Sequence, residues 1–300
     1  MNHESLTIDP HLVHQLLISQ FPQWANLPIK PIIPGGWDNR TFRLGEEMLV
    51  RMPSAVHYTG QVEKEQYWLP KLAPLLPLRI PEPLAIGKPG EGYPWKWSIY
   101  RWIDGETASA IADRLDLNDF AIRLAQFLKA LHRIDLVGGP PPGPHNFYRG
   151  GTLKTYDTET RQGIAALKDR LDTKAATEIW ETALKTTWPH APVWIHGDIS
   201  AGNLITLQGR LHAVIDFGQL GIGDPACDLS IAWTLFSGKN RTLFQETLPL
   251  DAATWARGRA WTLWKALIYL TNGRGNMNFE AARSWKTVAA VIADHRRHRH

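Results

Sequence analysis

The sequence predicts an α+β fold of two lobes, a small N-terminal lobe rich in β-strands and a larger, mainly helical C-terminal lobe. In the first hundred residues, short extended runs lie between glycines and prolines, a pattern typical of strands. Further on, apolar residues recur at helical spacing, and strand-like runs interrupt the helices within residues 193–217. We therefore divide the chain into residues 1–101 and residues 102–300.

The N-terminal lobe is predicted to combine helices with strands. Asp9 is expected to cap a first helix, in which leucines recur at helical spacing. Residues 29–52 contain two extended runs separated by Gly-Glu-Glu, which predicts a β-hairpin. Residues 59–72 predict a helix that ends at Pro70, because proline lacks a backbone N–H. Residues 95–103 alternate as a strand does.

The C-terminal lobe is predicted to be helical on both sides of a buried hairpin. Residues 116–135 have the apolar spacing of an amphipathic helix, and residues 159–188 offer two more. Three strand-like runs follow within residues 193–217, and Gln-Gly-Arg joins the last two as a tight turn. From Pro225 onward the pattern is helical again.

Composition limits the class of protein. A chain of 300 residues that is 44% hydrophobic can bury a sizeable core. The single cysteine, Cys227, excludes an internal disulfide and is expected to be a buried thiol. The net charge is +4, and we expect the basic residues 295–300 to form a frayed, solvated end. No apolar run approaches 20 residues and no signal-peptide pattern begins the sequence, so we expect a soluble, cytoplasmic protein without a membrane partner. The basic residues are not gathered into one stripe, so we expect no nucleic-acid partner, and the protein could be a monomer or a dimer.

Two carboxylates and an amide are placed at the ends of strand-like runs. Asp198 follows one run, Asn203 opens the next, and Asp216 closes the hairpin. Oxygen ligands of this kind suit Mg²⁺, which prefers few protein ligands together with phosphate oxygens and water. We expect Asn203 and Asp216 to be such ligands, which leaves Asp198 to orient and deprotonate an attacking hydroxyl.

This pattern resembles a known family. The spacing from Asp198 to Asn203, followed by Asp216-Phe217-Gly218, resembles the catalytic loop and metal motif of the protein-kinase-like fold. The stretch HGDISAGNLI, with Gly197 where protein kinases carry arginine, is similar to that of the aminoglycoside phosphotransferase family of small-molecule kinases. The resemblance extends over nearly the whole chain.

The resemblance implies an enzyme that uses ATP, or GTP, and Mg²⁺ to phosphorylate a hydroxyl group. It implies that Asp198 is the catalytic base, that Asn203 and Asp216 bind Mg²⁺, and that the nucleotide binds between the lobes. The family pattern further implies supporting residues for the catalytic loop, which are His196, Asp224 and Asp228.

The N-terminal lobe offers candidate nucleotide contacts. The basic residue expected on the third strand is Arg51, with Glu65 as its helix partner and Glu63 as the second choice. A surface ion pair without function is the alternative. Gly35 and Gly36 would let the backbone approach phosphate, although an ordinary hairpin entry explains them equally well.

Residues 100–103 match the family's hinge between the lobes. The resemblance implies that adenine meets backbone groups there, and we select those of Arg101 and Ile103. Trp102 is as well explained by packing as by ligand contact.

The acceptor is less constrained by the sequence. Residues 191–300 carry 12 basic and 8 acidic side chains, which does not favour a polycationic aminoglycoside. A macrolide, a sugar or an amino alcohol stays open. In the loop 143–151 we select His145, Asn146 and Arg149 as acceptor contacts, with a surface loop as the alternative. Five tryptophans could line a pocket but are better explained as core, namely Trp233, Trp255, Trp261, Trp264 and Trp285.

Two other functions are compatible with these residues. A catalytically silent, nucleotide-binding pseudokinase would explain the arginine at position 51. A metal-dependent phosphohydrolase could use the same carboxylates, but it would not need the N-terminal lobe.

The segment after Asp216 predicts how activity is regulated. Seven residues separate Asp216 from the Asp224-Pro225 turn, which is too short for a protein-kinase activation segment. With Gly197 in place of the arginine that would contact a phosphorylated loop, we predict constitutive activity. Phosphoproteomic mapping combined with turnover assays checks this. Phosphorylation of the protein at any side chain that raises its turnover would contradict it.

Overall fold

The computed structural model describes residues 7–33, 35–36, 38–271 and 277–298. The chain forms two compact units, one made of residues up to Gly105 together with His212–Gly218, the other of Glu106–Leu211 together with the residues from Gln219 onward. The sequence-based boundary between residues 101 and 102 assigns residues 212–218 to the C-terminal lobe, whereas in the structure they belong to the first unit. Backbone hydrogen bonds tie that segment to the first unit, since the Arg79 N–H donates to His212 O (3.3 Å) and the Val214 N–H to Arg79 O (3.0 Å).

The first unit contains a five-stranded sheet in which all neighbours are antiparallel. The strand order is β1-β2-β3-β5-β4. The predicted hairpin is confirmed as β2 and β3, but the first of its two extended runs folds into two strands that pair with each other. The strands are β1 (Ile29–Pro31), β2 (Asn39–Leu44), β3 (Met48–Pro53), β4 (Pro83–Gly87) and β5 (Trp97–Arg101).

Two α-helices accompany this sheet, α1 (Pro10–Gln20) and α2 (Gly60–Leu72). The cap of α1 is confirmed, because the Asp9 carboxylate accepts from the Leu12 N–H at 2.9 Å. The predicted end of α2 at Pro70 is wrong. The helix continues to Leu72, since a proline in the last turn removes one hydrogen bond and the following residues keep theirs.

The core of the first unit packs α1 against the sheet. Its buried members include leucines of α1 and the inward side chains of β2, β3 and β5. Trp97 on β5 is fully buried, and it is paired in register with Gly87 on β4. A Cβ at Gly87 would lie 2.0 Å from the indole Cε2, so the absence of a side chain there is what admits the ring.

We expect Gly87→Ala to destabilise the protein by about 1–3 kcal/mol, because the added methyl group must displace Trp97 from a filled core. Gly60→Ala is the matched control, since its Cβ would meet no atom within 4 Å and alanine favours the start of α2. Urea unfolding followed by indole fluorescence measures both variants. Equal midpoints for the two variants would contradict this account.

The second unit contains two short antiparallel strand pairs. β6 (Glu106–Thr107) pairs with β8 (Leu204–Leu207), and β7 (Val193–Ile195) pairs with β10 (Gly221–Gly223), both antiparallel. Strand β9 (Arg210–Val214) starts here and ends in the first unit. The predicted tight turn before β9 is present, with φ of 52° at Gln208 and 75° at Gly209.

Helices form the rest of the second unit. Those predicted from residues 116–135 and 159–188 are confirmed, and beyond Pro225 a 3₁₀ turn at Pro225–Ser230 precedes the predicted helices. No helix among the described residues is long and apolar enough to cross a membrane. The α-helices are α3 (Leu117–Leu131), α4 (Asp157–Ala166), α5 (Thr173–Leu184), α6 (Ile231–Thr234), α7 (Gly238–Thr247), α8 (Ala252–Thr271) and α9 (Met277–Arg297).

The expectation of a frayed C-terminal end is wrong for residues 295–297, which belong to α9. Arg296 forms an ion pair with Asp172, the N-cap of α5. Two residues earlier in α9, the buried Asp294 binds Arg241 (3.1 Å) and Arg259 (2.9 Å). These charge-assisted contacts hold the last helix to its neighbours. Arg299 and His300 lie outside the described residues.

Candidate active site

The Asp198 loop follows β7 in the second unit and begins with a tight turn at Gly197. Gly197 has φ of 84°, and a Cβ on it would lie 2.6 Å from Gln219 O. Only glycine fits this backbone and this space without strain. The glycine that distinguishes the motif from that of protein kinases is therefore also required by the local geometry.

A buried carboxylate supports this loop. Asp228 accepts the His196 N–H (2.8 Å) and the Gly197 N–H (2.7 Å), one on each oxygen. Burial raises the pKa of Asp228, and the two N–H donors and His196 oppose that change. The His196 ring, also buried, accepts the Asp198 N–H on Nδ1 at 3.2 Å. The geometry thus gives both residues contacts with the loop that they were predicted to support.

Asp224 was predicted to support the same loop, but its carboxylate binds elsewhere. It accepts from Arg257 Nε at 2.6 Å and from the Ala226 N–H at 3.0 Å, which caps the 3₁₀ turn Pro225–Ser230. The adjacent thiol of Cys227 is buried as predicted, and burial raises its pKa well above the ordinary value. Asp224 therefore fixes the segment that carries Asp228, rather than the loop itself.

Asn203 orients Asp198. Its Nδ2 donates to the Asp198 carbonyl (2.9 Å) and to Asp198 Oδ2 (3.1 Å). Because both contacts use the amide nitrogen, the oxygen Oδ1 faces away from them and is the atom suited to a metal ligand.

A lysine that the sequence analysis missed contacts the proposed base. Lys265 on α8 places Nζ 2.5 Å from Asp198 Oδ1, and both side chains are slightly less than 30% exposed. Burial would raise the pKa of Asp198, but the positive charges of Lys265 and Arg149 outweigh it and hold that pKa well below its usual range. Asp198 is therefore a carboxylate at neutral pH. No local motif could have found a lysine 67 residues away on a helix.

The first unit holds a second group of charged residues, centred on Arg51. Its Nη1 contacts both oxygens of Glu65 (3.2 and 3.1 Å), and its Nη2 contacts Asp216 Oδ1 at 2.8 Å. Tyr100 donates its hydroxyl to the same buried Glu65. Burial opposes the charge on Arg51, but the two carboxylates raise its pKa above the ordinary value. Arg51 is consequently a permanent cation that bridges two anions.

Glu63, the second choice of partner, pairs with Lys96 at the surface. Glu65 is the helix residue that faces the sheet, so the predicted pairing of Arg51 with Glu65 is present in the geometry. Asp216 has φ of 67°, an uncommon conformation for a residue other than glycine. Backbone strain of this kind accumulates at functional sites.

The other nucleotide candidates differ in what the structure places around them. A Cβ at Gly35 or Gly36 would make only ordinary contacts at 3.6 Å, so neither position requires glycine. The Arg101 N–H donates to Glu82 O, which occupies that donor within the sheet. The guanidinium carbon of Arg43 lies 3.7 Å from the centre of the Trp102 ring, which favours packing over ligand contact as the role of Trp102. For Ile103, the nucleotide contact stays a prediction.

The loop 143–151 contains the three predicted acceptor residues. His145 Nε2 lies 2.8 Å from Pro141 O, and the buried Asn146 bonds within the loop, so both serve its internal structure. Arg149 instead packs over Trp261 and Trp264, with its guanidinium carbon 5.1 and 5.3 Å from the ring centroids. It is also one of the charges that act on Asp198.

The core explanation of the tryptophans is confirmed for the four that are buried, and Trp285 is half-buried beside Arg170. The four are Trp233, Trp255, Trp261 and Trp264.

Each unit supplies one oxygen atom of the kind that Mg²⁺ prefers. Asn203 offers its amide oxygen in the second unit, and Asp216 offers Oδ2 in the first, where Arg51 engages only Oδ1. Within the described residues, no group of three or more His, Cys, Asp or Glu side chains could hold a metal. Binding of one ion by Asn203 and Asp216 together stays a prediction.

Comparison with known proteins decides the family. The sequence model of the phosphotransferase enzyme family matches residues 31–261. The chain belongs to this family. The predicted resemblance is thereby confirmed, because the match covers most of the chain.

Several curated proteins are similar to part of this chain. An aminoglycoside 3′-phosphotransferase of Escherichia coli is 31% identical over 144 residues, which are 46% of this chain and 51% of that protein. A second protein of that name from the same species is 40% identical over 157 residues, with the same coverage. An uncharacterized protein of Bacillus subtilis is 25% identical over 197 residues, which are 62% of this chain and 56% of that protein. The chain spans about half the length of the curated relatives it matches.

Solved structures of the family confirm the predicted α+β fold. A GDP complex of aminoglycoside 2′-phosphotransferase-IIIa gives a TM-score of 0.71 at 18% identity, covering 96% of this chain and 99% of that one. Macrolide 2′-phosphotransferase type I gives 0.61 at 17% identity, covering 98% of each chain. At these identities the likeness establishes the fold.

We expect Arg51→Met to destabilise the protein by about 3–5 kcal/mol, because it leaves the buried Glu65 without its counter-ion. Arg51→Lys retains one charge but not the fork that reaches two carboxylates, so it should recover part of the loss. Lys96→Met breaks the exposed ion pair with Glu63, which lies on the same helix as Glu65. It should lower the free energy of unfolding by at most about 1 kcal/mol. Urea unfolding compares the three variants. A loss for Arg51→Met no larger than that for Lys96→Met would refute the bridging role.

Proposed function

We propose that this chain is a kinase that transfers the γ-phosphate of ATP, in the presence of Mg²⁺, to a hydroxyl group of a small molecule. The arrangement of Asp198 supports this most strongly. Its carboxylate is kept ionised, it is oriented by Asn203, and it lies on a loop fixed by Asp228. A positioned carboxylate is the group that phosphoryl transfer requires of the protein on the acceptor side.

In this mechanism Asp198 accepts a hydrogen bond from the acceptor hydroxyl and takes its proton. The acceptor oxygen forms a bond to the γ-phosphorus, the bond between that phosphorus and the β–γ bridging oxygen breaks, and ADP leaves with the electron pair. Most of the rate enhancement would come from holding the hydroxyl in line with the phosphorus. Asn203 contributes by keeping Asp198 in one orientation.

The remaining proposed roles concern the nucleotide. Arg51, positioned by Glu65, would contact the phosphates. The further proposed contacts are Gly35, Gly36, the backbone carbonyl of Arg101, whose N–H already bonds within the sheet, and the backbone of Ile103. Asn203 Oδ1 and Asp216 would hold Mg²⁺, which supplies positive charge to the phosphate oxygens. GTP is the alternative donor, and the ion pair of Arg51 with Asp216 does not distinguish the two nucleotides.

The acceptor class is proposed from the fold and from the family. The solved neighbours named above act on aminoglycosides and on macrolides. For this chain, the proposal covers hydroxylated antibiotics, sugars and amino alcohols. The lobe that carries Arg51 supports a kinase rather than a phosphohydrolase, since a phosphohydrolase would not need a lobe that binds a nucleotide.

An ADP-release assay with ATP and Mg²⁺, across hydroxylated antibiotics, sugars and amino alcohols, tests the function. Asp198→Asn keeps the shape of the side chain but cannot accept the proton, so we expect a loss of about 10²–10⁴-fold in turnover. Asp169→Asn, at an exposed position of the same unit, should keep wild-type activity.

Two results would contradict the proposed function. Equal turnover by the wild type and Asp198→Asn would exclude Asp198 as the base. Nucleotide binding without ADP release on any acceptor would favour the pseudokinase, and phosphate release from a monoester without ATP would favour the phosphohydrolase.

A further inference from the structure

Two positive charges act on the proposed base from different elements of the second unit. Lys265 on α8 contacts Asp198 Oδ1 at 2.5 Å, and its side chain is 29% exposed. Arg149 lies in the loop that ends where Gly150 packs against Ile195, the last residue of β7. Since β7 leads directly into the Asp198 turn, this packing brings Arg149 to the same end of the strand.

Arg149, which lies outside α8, packs against the face of α8 that carries Lys265. The Arg149 guanidinium lies over Trp261, and Lys265 follows Trp261 by one helical turn, so the two cations border the same surface. The buried Nε of Arg149 has no hydrogen-bond partner among the described residues. An ammonium group carries three N–H donors, and Asp198 Oδ1 accepts one from Lys265. Both side chains therefore keep donors for a further oxygen atom.

Nearby carboxylates are engaged in other contacts. Asp228 is buried and binds backbone N–H groups, and Asp224 binds Arg257. Glu159 on α4 accepts the Trp264 indole N–H at 2.9 Å. These carboxylates accept donors that the protein itself supplies, whereas Lys265 and Arg149 keep unused N–H donors beside Asp198. An ammonium group next to the reacting hydroxyl would face these two cations, whereas an anion would accept their N–H donors.

Resting on the proposed kinase function, we propose that the acceptor carries a carboxylate or phosphate group close to the hydroxyl that is phosphorylated, and that Lys265 and Arg149 bind this anion. Lys265 then serves as a specificity-determining residue that both holds Asp198 and selects the acceptor by charge. The chemistry of the site excludes acceptors whose reacting hydroxyl is flanked by an ammonium group.

Three isosteric probes test the charge preference, namely glycerate (anionic), glycerol (neutral) and 3-amino-1,2-propanediol (cationic). Glycerol 3-phosphate distinguishes a phosphate from a carboxylate, and kanamycin represents a polycation. Titration calorimetry on the full chain without nucleotide measures binding, and ADP release measures transfer. We expect at least one of the two anions to bind tenfold or more tightly than glycerol, and the cations to bind most weakly.

Variants assign the preference to residues. Lys265→Met and Arg149→Met should each reduce the anion preference about tenfold or more, and Lys265→Arg should restore much of it. Lys239→Met, on the exposed surface of α7, removes one positive charge from the same unit and should change nothing. ATP affinity and the urea midpoint of every variant separate loss of the anion contact from loss of folding.

The outcomes distinguish this inference from the proposed function. Binding of both anions no tighter than that of glycerol, or a preference that survives both methionine variants, overturns the inference. Efficient transfer to kanamycin or 3-amino-1,2-propanediol supports the kinase function but overturns the inference. Anion binding that depends on Lys265, without transfer to any acceptor, supports the inference about the site and overturns the kinase function.

Discussion

A buried carboxylate holds the loop on which the proposed chemistry depends. Asp228 accepts the two consecutive N–H groups of His196 and Gly197, which follow the short strand β7. A buried carboxylate without hydrogen-bond donors is unfavourable, and so are buried N–H groups without acceptors. In this pairing each provides the partner that the other needs. Gly197 takes the left-handed backbone that this arrangement needs. Asp198, the next residue, is consequently presented in a single orientation.

The carboxylates proposed for the chemistry are balanced by basic side chains from elements remote in sequence. Arg51 bridges Glu65 and Asp216 in the first unit, and Lys265 contacts Asp198 in the second. Attraction between such charges is stronger in partly buried surroundings than in water. This is why the pKa of Asp198 lies below its usual range although burial alone would raise it. In the proposed mechanism, the cation that keeps Asp198 ionised, Lys265, would also be a charge that the acceptor meets.

Much of the fold and part of the candidate site follow from local patterns. Asp198 and Asn203 lie on one loop, so their spacing alone indicates that the amide can reach the carboxylate. Helix α3 and the β2–β3 hairpin were predicted because periodicity and turn residues are local. Pro70 misled the sequence analysis, because the packed helix α2 tolerates one missing hydrogen bond in its last turn.

By itself, the sequence determined the α+β class, the family resemblance and the residues of the Asp198 loop, since these depend on periodicity and short spacing. Only the tertiary structure decided that Glu65 rather than Glu63 meets Arg51, that Asp224 binds Arg257, and that the conspicuous tryptophans are largely core. It also placed Lys265 beside Asp198. The physical reason is that ion-pair partners are chosen by the packing of distant elements, and a lysine on a helix has the same sequence signature whether it contacts water or a catalytic carboxylate.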